Sequence, residues 1–191
     1  MEASAARERA DAARNRARVL RAAERLFAER DGRELTMERV ATAAGVGKAT
    51  LYRRYPDVRS IALALLDEHE RDLQERLLRG PPPLGPGAPP AERLAAFYGA
   101  MVELLERHGH LALAAETGAR RYGTGAYRAW QLHVEALLAD AGLDGRPALA
   151  DALLAPLAPD VYAHQRASGA SPEQIAGDLA LIARGTLERS G

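Results

Sequence analysis

The chain has 191 residues, with 26 basic and 26 acidic side chains, so its formal net charge at neutral pH is zero, and 47% of it is hydrophobic. The absence of cysteine excludes a disulfide framework, a thiolate metal site and a cysteine nucleophile. Residues 1–9 lack the apolar core of a signal peptide and the longest apolar runs, such as 61–66, are too short to cross a bilayer, so a cytoplasmic protein without a membrane partner is expected.

The balanced total conceals a division. Residues 1–59 hold 14 basic against 9 acidic side chains, whereas residues 60–191 hold 12 against 17. A basic amino-terminal part on an acidic remainder suits a protein that presents one end to DNA. Nearly all the basic residues are arginine, Lys48 being the sole lysine, and the abundance of Ala, Gly and Pro points to GC-rich codon usage as the reason. The length accommodates one core, or a small module joined to a larger one.

In chain order, residues 1–11 are polar and Ala-rich and read as a frayed terminus, with an arginine-bearing arm on DNA as the lesser alternative. From about Ala12 to Glu29, Val19, Ala22, Ala23, Leu26 and Phe27 recur at helical spacing, with Arg18, Arg21, Glu24 and Arg25 on the opposite, solvated side. Asp31-Gly32 ends this helix, and Thr36 is placed to cap the next.

The segment from Met37 to Tyr55 organises the rest. Met37, Val40, Ala41 and Ala44 form one apolar stripe, Gly45 supplies a left-handed stop, and Val46 plugs the turn. A second short helix starts near Gly47-Lys48 and buries Leu51 and Tyr55, four apart. That leaves Lys48, Ala49, Thr50, Tyr52, Arg53 and Arg54 on or beside the exposed face. Cations neutralise phosphates, hydroxyls donate to phosphate oxygens, and short side chains approach base edges. This is the pattern of a helix-turn-helix whose second helix enters a major groove. The competing reading, a helical hairpin in an ordinary core, has no use for that exposed set.

Pro56-Asp57 opens a longer helix carrying Ile61, Leu65, Leu66 and Leu73 and reaching about Leu78. The stretch from Gly80 to Pro90 is too rich in Pro and Gly for helix or strand and is expected to be an extended, partly polyproline-like connector. Helices are then expected at 91–108, a short one at 110–119, and 125–141. Another opens at Pro147, is interrupted at Pro156 and Pro159 by a kink or a break into two pieces, and ends near Arg166. Ser171-Pro172-Glu173-Gln174 starts the last, to about Glu188, as N-cap, N1 proline and capping-box glutamine. No segment shows strand alternation. The expected class is all-α with about nine helices, divided as a helix-turn-helix domain at 1–58 and a helical domain at 59–191.

Arg18-Val-Leu-Arg-Ala-Ala-Glu-Arg-Leu-Phe27, then Leu35-Thr36-Met37, then Ala43 through Tyr55, together resemble the tetracycline-repressor (TetR) family of bacterial transcriptional regulators over about residues 16–66. The resemblance implies a homodimer that binds a palindromic operator, most often as a repressor, and is released by a small molecule. It assigns Lys48, Ala49, Thr50 and Tyr52 to bases and phosphates, and Thr36 to a phosphate. Arg54 stands where such proteins often have histidine, and Val58 where they commonly have lysine, with Arg59 adjacent as a substitute. It also implies a four-helix seam from the last two long helices of each subunit, for which Leu153, Leu154, Leu157, Tyr162, Leu179 and Ile182 are candidates, although some of these must close the monomer's own core. The competing function is a small-molecule-binding protein of the same fold that has lost specific DNA binding, for which Val58 is the only hint.

No zinc spacing, phosphate-cradling loop or nucleophile elbow is present, so neither an enzyme nor a metal or cofactor is expected. Phe97, Tyr98, Met101, Leu105, Leu113, Tyr122, Tyr127, Trp130 and His133 combine aromatic bodies with a few polar tips, as a pocket for an apolar or aromatic effector does. The same spacing also serves plain core. Trp130 and His133, three apart, are the leading pair.

Overall fold

The computed structural model describes residues 2–29, 35–115 and 122–188. Its described residues form nine α-helices: α1 (Glu2–Glu29), α2 (Met37–Ala44), α3 (Lys48–Arg54), α4 (Val58–Arg79), α5 (Pro90–Ala115), α6 (Gly125–Asp140), α7 (Pro147–Leu154), α8 (Pro159–Ala167) and α9 (Pro172–Leu187). One turn of 3-10 helix, Ala155–Leu157, separates α7 from α8 at the expected prolines. The fold is all-α. Among the described residues, no helix is long and apolar enough to cross a membrane.

The chain divides into two compact units, and the division falls inside α4, between Leu66 and Asp67. In the first unit, α1 packs on α2 and α2 on α3. Val19, Ala22, Ala23 and Phe27 of α1 are buried, as are Met37, Val40, Ala41 and Ala44 of α2. In the second unit, α9 packs along α5, which also receives α6 and α8. Ile175, Leu179, Ala183 and Leu187 turn inward on α9 at a four-residue spacing.

Three expectations are corrected. Residues 2–11, read as frayed, are the first turns of α1. The two helices expected at 91–108 and 110–119 are one as far as Ala115, and residues 116–119 lie outside the described residues. A mid-helix glycine costs about 1 kcal/mol of propensity, which burial of Leu105, Leu111 and Ala112 on either side of Gly109 offsets. The connector at 80–90 folds into turns rather than an extended segment: the Gly85 N–H donates to the Pro81 carbonyl at 3.0 Å. A Cβ on Gly85 would lie 1.8 Å from the Gly80 carbonyl oxygen, so only glycine permits this close return.

Helix ends follow their sequence signals. Ser171 accepts from the Gln174 N–H while the Gln174 side chain accepts from the Ser171 N–H, which completes the capping box of α9. At the start of α4, the Ser60 N–H donates to Asp57 Oδ1 at 2.7 Å.

Candidate nucleic-acid interface

The α2–turn–α3 unit is built from its caps outward. Thr36 is extended, and its hydroxyl oxygen accepts from the Arg39 N–H at 3.3 Å, which starts α2. At the other end Gly45 is left-handed at φ 61°, with its N–H on the Thr42 carbonyl and the Val46 N–H on the Ala41 carbonyl. This paired 5→2 and 6→1 arrangement is a Schellman stop. It turns the chain abruptly into α3.

Arg18, read from the sequence as a solvated residue of α1, has a structural task here. Its Nη2 donates to the Ala44 and Gly45 carbonyls at 2.8 and 2.7 Å. A cation on the last carbonyls of α2 satisfies acceptors that the helix leaves open and complements its dipole. The one α1 side chain therefore fixes the turn that aims α3.

Leu51 and Tyr55 are buried beneath α3 as expected, at 2% and 6% exposure. The opposite face is open: Lys48, Ala49, Thr50, Tyr52, Arg53 and Arg54 are all exposed. Thr36 is exposed too, whereas Arg59 is half-buried and engaged in an interaction of its own. The Arg54 guanidinium lies 6.0 Å from the Tyr55 ring centroid, which orients it across the carboxy-terminal end of α3. Three cations and the Tyr52 hydroxyl beside two short side chains are suited to holding phosphates while a helix face meets base edges.

Sequence reasoning overlooked Glu38. It lies in the first turn of α2, where its Oε1 accepts from the Tyr52 hydroxyl at 3.2 Å and stands 3.8 Å from Lys48 Nζ. Its carboxyl is held below the usual carboxylate range, first by a backbone N–H at the helix start and then by Tyr52 and Lys48. Tyr52 is in turn raised by desolvation and by the Glu38 charge. No spacing rule links residue 38 to residues 48 and 52; only the folded turn brings it to them.

In the second unit, the expected effector residues separate into groups. The Phe97 ring packs 5.2 Å from His133 and 5.8 Å from Trp130, centroid to centroid. His133 is pushed down to about 4, first by burial and then by Arg93, so it is neutral at physiological pH. Tyr98 turns elsewhere: its hydroxyl donates to the Leu153 carbonyl at 2.9 Å, tying α5 to α7. Tyr127 donates to Asp151 Oδ1 at 2.9 Å and packs perpendicular to the Tyr122 ring. Met101 and Leu105 are buried, whereas Leu113 is exposed.

A separate polar cleft of about 120 Å³ lies between α4 and α5, lined by His69, Asp72, Arg76, Arg107 and His108 among others. Here the His69 and His108 rings stack at 3.6 Å. Burial, then the neighbouring His69, lowers His108 to about 4. His69, in the middle of a helix, carried no pattern that singled it out.

Of the proposed seam residues, Leu153, Leu154, Leu157, Tyr162 and Leu179 are each at most 6% exposed within the chain's own core. Ile182 is 45% exposed. The neighbouring open apolar residues are Val161 and Leu181, at 37% and 62%, neither of which the sequence reading selected. Helical period explains the exchange: positions 175, 179 and 183 face α5, which leaves 181 and 182 outside.

Comparison with known proteins places this geometry in context. The sequence profile for bacterial regulatory proteins, tetR family, matches residues 19–65. An HTH-type transcriptional regulator of Mycobacterium tuberculosis (strain H37Rv) is 39% identical over 56 residues, 29% of this chain and 30% of its own length. The matched part thus spans less than a third of that relative. Among solved structures, a TetR-like transcriptional regulator from Rhodococcus sp. RHA1 superposes with a TM-score of 0.62 at 20% identity, covering 90% of this chain and 95% of that one. The fatty acid degradation regulator FadR from Bacillus halodurans gives 0.65 at 14% identity, covering 88% and 93%. At such identities the two structures establish a shared fold.

Proposed function

We propose that this chain, whose residues 19–65 match the sequence profile for bacterial regulatory proteins, tetR family, is a transcriptional regulator that binds double-stranded DNA through α3. The observation that carries this reading is the exposed face of α3, where Lys48, Ala49, Thr50, Tyr52, Arg53 and Arg54 stand open above a buried Leu51. Lys48, Tyr52, Arg53 and Arg54 hold phosphates; Ala49 and Thr50 meet base edges. Thr36 and Arg59 extend the phosphate contacts on either side.

The finer reading is a repressor that works as a homodimer on a palindromic operator and is released by a small apolar or aromatic effector. The open apolar residues Val161, Leu181 and Ile182 support a dimer seam on α8 and α9. Two glycines of α9, Gly177 and Gly185, have open space above them, which lets a second helix approach closely. For the effector, the Phe97–Trp130–His133 cluster supplies apolar rings and one neutral imidazole.

The test is binding of the purified protein to labelled DNA from upstream of its own gene, against mixed-sequence DNA, across a salt series. A palindromic site bound at least about a hundredfold tighter than mixed-sequence DNA is expected. Tyr52→Phe and Arg54→Ala should weaken binding to all sequences, whereas substitutions at Ala49 or Thr50 should change which sequence is preferred. Equal losses on both DNAs at Ala49 and Thr50 would sink that division of labour. Equal, weak binding of the wild-type protein to every candidate site in a genome-wide selection would favour a protein that keeps the fold without specific DNA recognition.

A further inference from the structure

Glu38 is an acidic side chain set among the groups that the DNA reading needs. One of its carboxylate oxygens, Oε1, accepts from the Tyr52 hydroxyl and lies near the Lys48 ammonium. Lys48 and Tyr52 are four residues apart, so both stand on the same exposed side of α3. The Lys48 and Glu38 side chains remain 64% and 50% exposed, and Tyr52 is 43% exposed. Burial therefore does not force the three together, because water alone would satisfy each of them.

An ammonium and a hydroxyl that converge on one anionic oxygen are also the donors that a DNA phosphate oxygen takes. From this coincidence we infer that Glu38 is an intramolecular competitor of the DNA phosphate: its carboxylate occupies the Lys48–Tyr52 donor pair in the free protein and must be displaced when DNA binds. The inference rests on the DNA-binding reading above. Its physical consequence is specific. A free lysine that meets a phosphate releases a condensed counterion into solution, which makes binding salt-dependent. A lysine already neutralised by Glu38 gives no such net release, because the displaced carboxylate takes up a cation of its own. Glu38 therefore lowers both the affinity for phosphates and its salt dependence, and restrains binding wherever only the backbone is contacted.

Glu38→Gln removes the charge while keeping an amide oxygen that accepts from Tyr52. The measurement is binding of the wild-type protein, E38Q, K48A and the E38Q/K48A double variant to a mixed-sequence duplex over a salt series, with thermal melts to check folding. The substituted side chains are exposed, so all four proteins are expected to fold. E38Q should bind on the order of three- to tenfold tighter at low salt, with a log affinity–log salt slope steeper by about 0.9, the increment for one further phosphate neutralised. K48A should weaken binding, because it leaves the Glu38 carboxylate unpaired beside the DNA, and the steepening of the slope by E38Q should vanish in the double variant, which has no lysine there to release a counterion. Equal or weaker binding by E38Q overturns the inference, as does tighter binding with an unchanged slope or a steeper slope that survives K48A. If the wild-type protein shows no salt-dependent binding at all, the DNA reading itself fails, an outcome the wild-type titration separates from the others.

Discussion

His133 illustrates how one side chain carries information about both packing and pH. Beside Phe97, its imidazole is held down to about 4, first by burial and then by Arg93, against an ordinary value near 6.5. The folded protein therefore keeps it neutral where the unfolded chain has already taken up a proton. Stability does not depend on this group above about pH 6.5, and falls as the pH is lowered from there to about 4, by about 1 kcal/mol per pH unit. His108, depressed by burial and by His69, acts in the same direction. Urea midpoints measured between pH 7 and pH 4 should show this decline, and His133→Gln should flatten part of it. An unchanged slope in the variant would mean that His133 does not titrate differently in the two states. The same imidazole, neutral and packed against aromatic rings, is the polar tip expected of an effector site.

At the scale of elements, the decisive piece is the turn between α2 and α3. Gly45 is left-handed, and a Cβ there would stand 2.7 Å from Arg18 Nη2. Gly45→Ala must therefore strain the backbone and push away the guanidinium that satisfies the Ala44 and Gly45 carbonyls. We expect a loss of roughly 1–2 kcal/mol from the left-handed conformation alone, read as a lower thermal midpoint. Gly45→Asn, which tolerates this conformation better, should lose less. Equal losses for both would assign the cost to the Arg18 contact rather than to the backbone. A second element-level tie joins α5 to α8: Glu106 accepts from the Tyr162 hydroxyl and pairs with Arg166 through two nitrogens, at 3.0 and 3.1 Å. Arg166 Nη1 also donates to the Ala170 carbonyl at 2.8 Å, which fixes the loop leading into the capped start of α9.

For the whole molecule, the open face of α8 and α9 makes a prediction about assembly. Leu181 and Ile182 are 62% and 45% exposed in the single chain, so replacing them by glutamate costs little core packing. A dimer that closes over them must bury two carboxylates per subunit, which is unfavourable by several kcal/mol unless they are paired. Leu181→Glu/Ile182→Glu should sediment as a monomer with an unaltered helical spectrum, and its affinity for a palindromic site should fall steeply. A variant that stays dimeric would move the seam elsewhere. The division of charge, net +5 over residues 1–59 and −5 over residues 60–191, belongs to the same scale. In the proposed function it steers DNA toward the part of the chain that holds α3, and the salt dependence of binding should follow the number of phosphates engaged.

The sequence by itself determined what depends on near neighbours in the chain. Helical periodicity, Thr36 and Ser171 as caps, Gly45 as a stop and the exposed side of α3 are all governed by contacts within a few residues, and each stands as the spacing predicts. The tertiary structure decided what depends on residues far apart. Gly109 signalled a break, yet burial on both sides carried α5 through it. Arg18 read as a solvated arginine until α1 met the end of α2, 26 residues away. Glu38 had no sequence signal at all, and its role emerged only where α3 folds across it. The apolar residues of α7 to α9 are alike in composition, and only their packing against α5 determined that Leu179 is core while Leu181 is surface. Local patterns fix the direction in which a helix is amphipathic, but which of its apolar residues remain open depends on the width of the helix it meets.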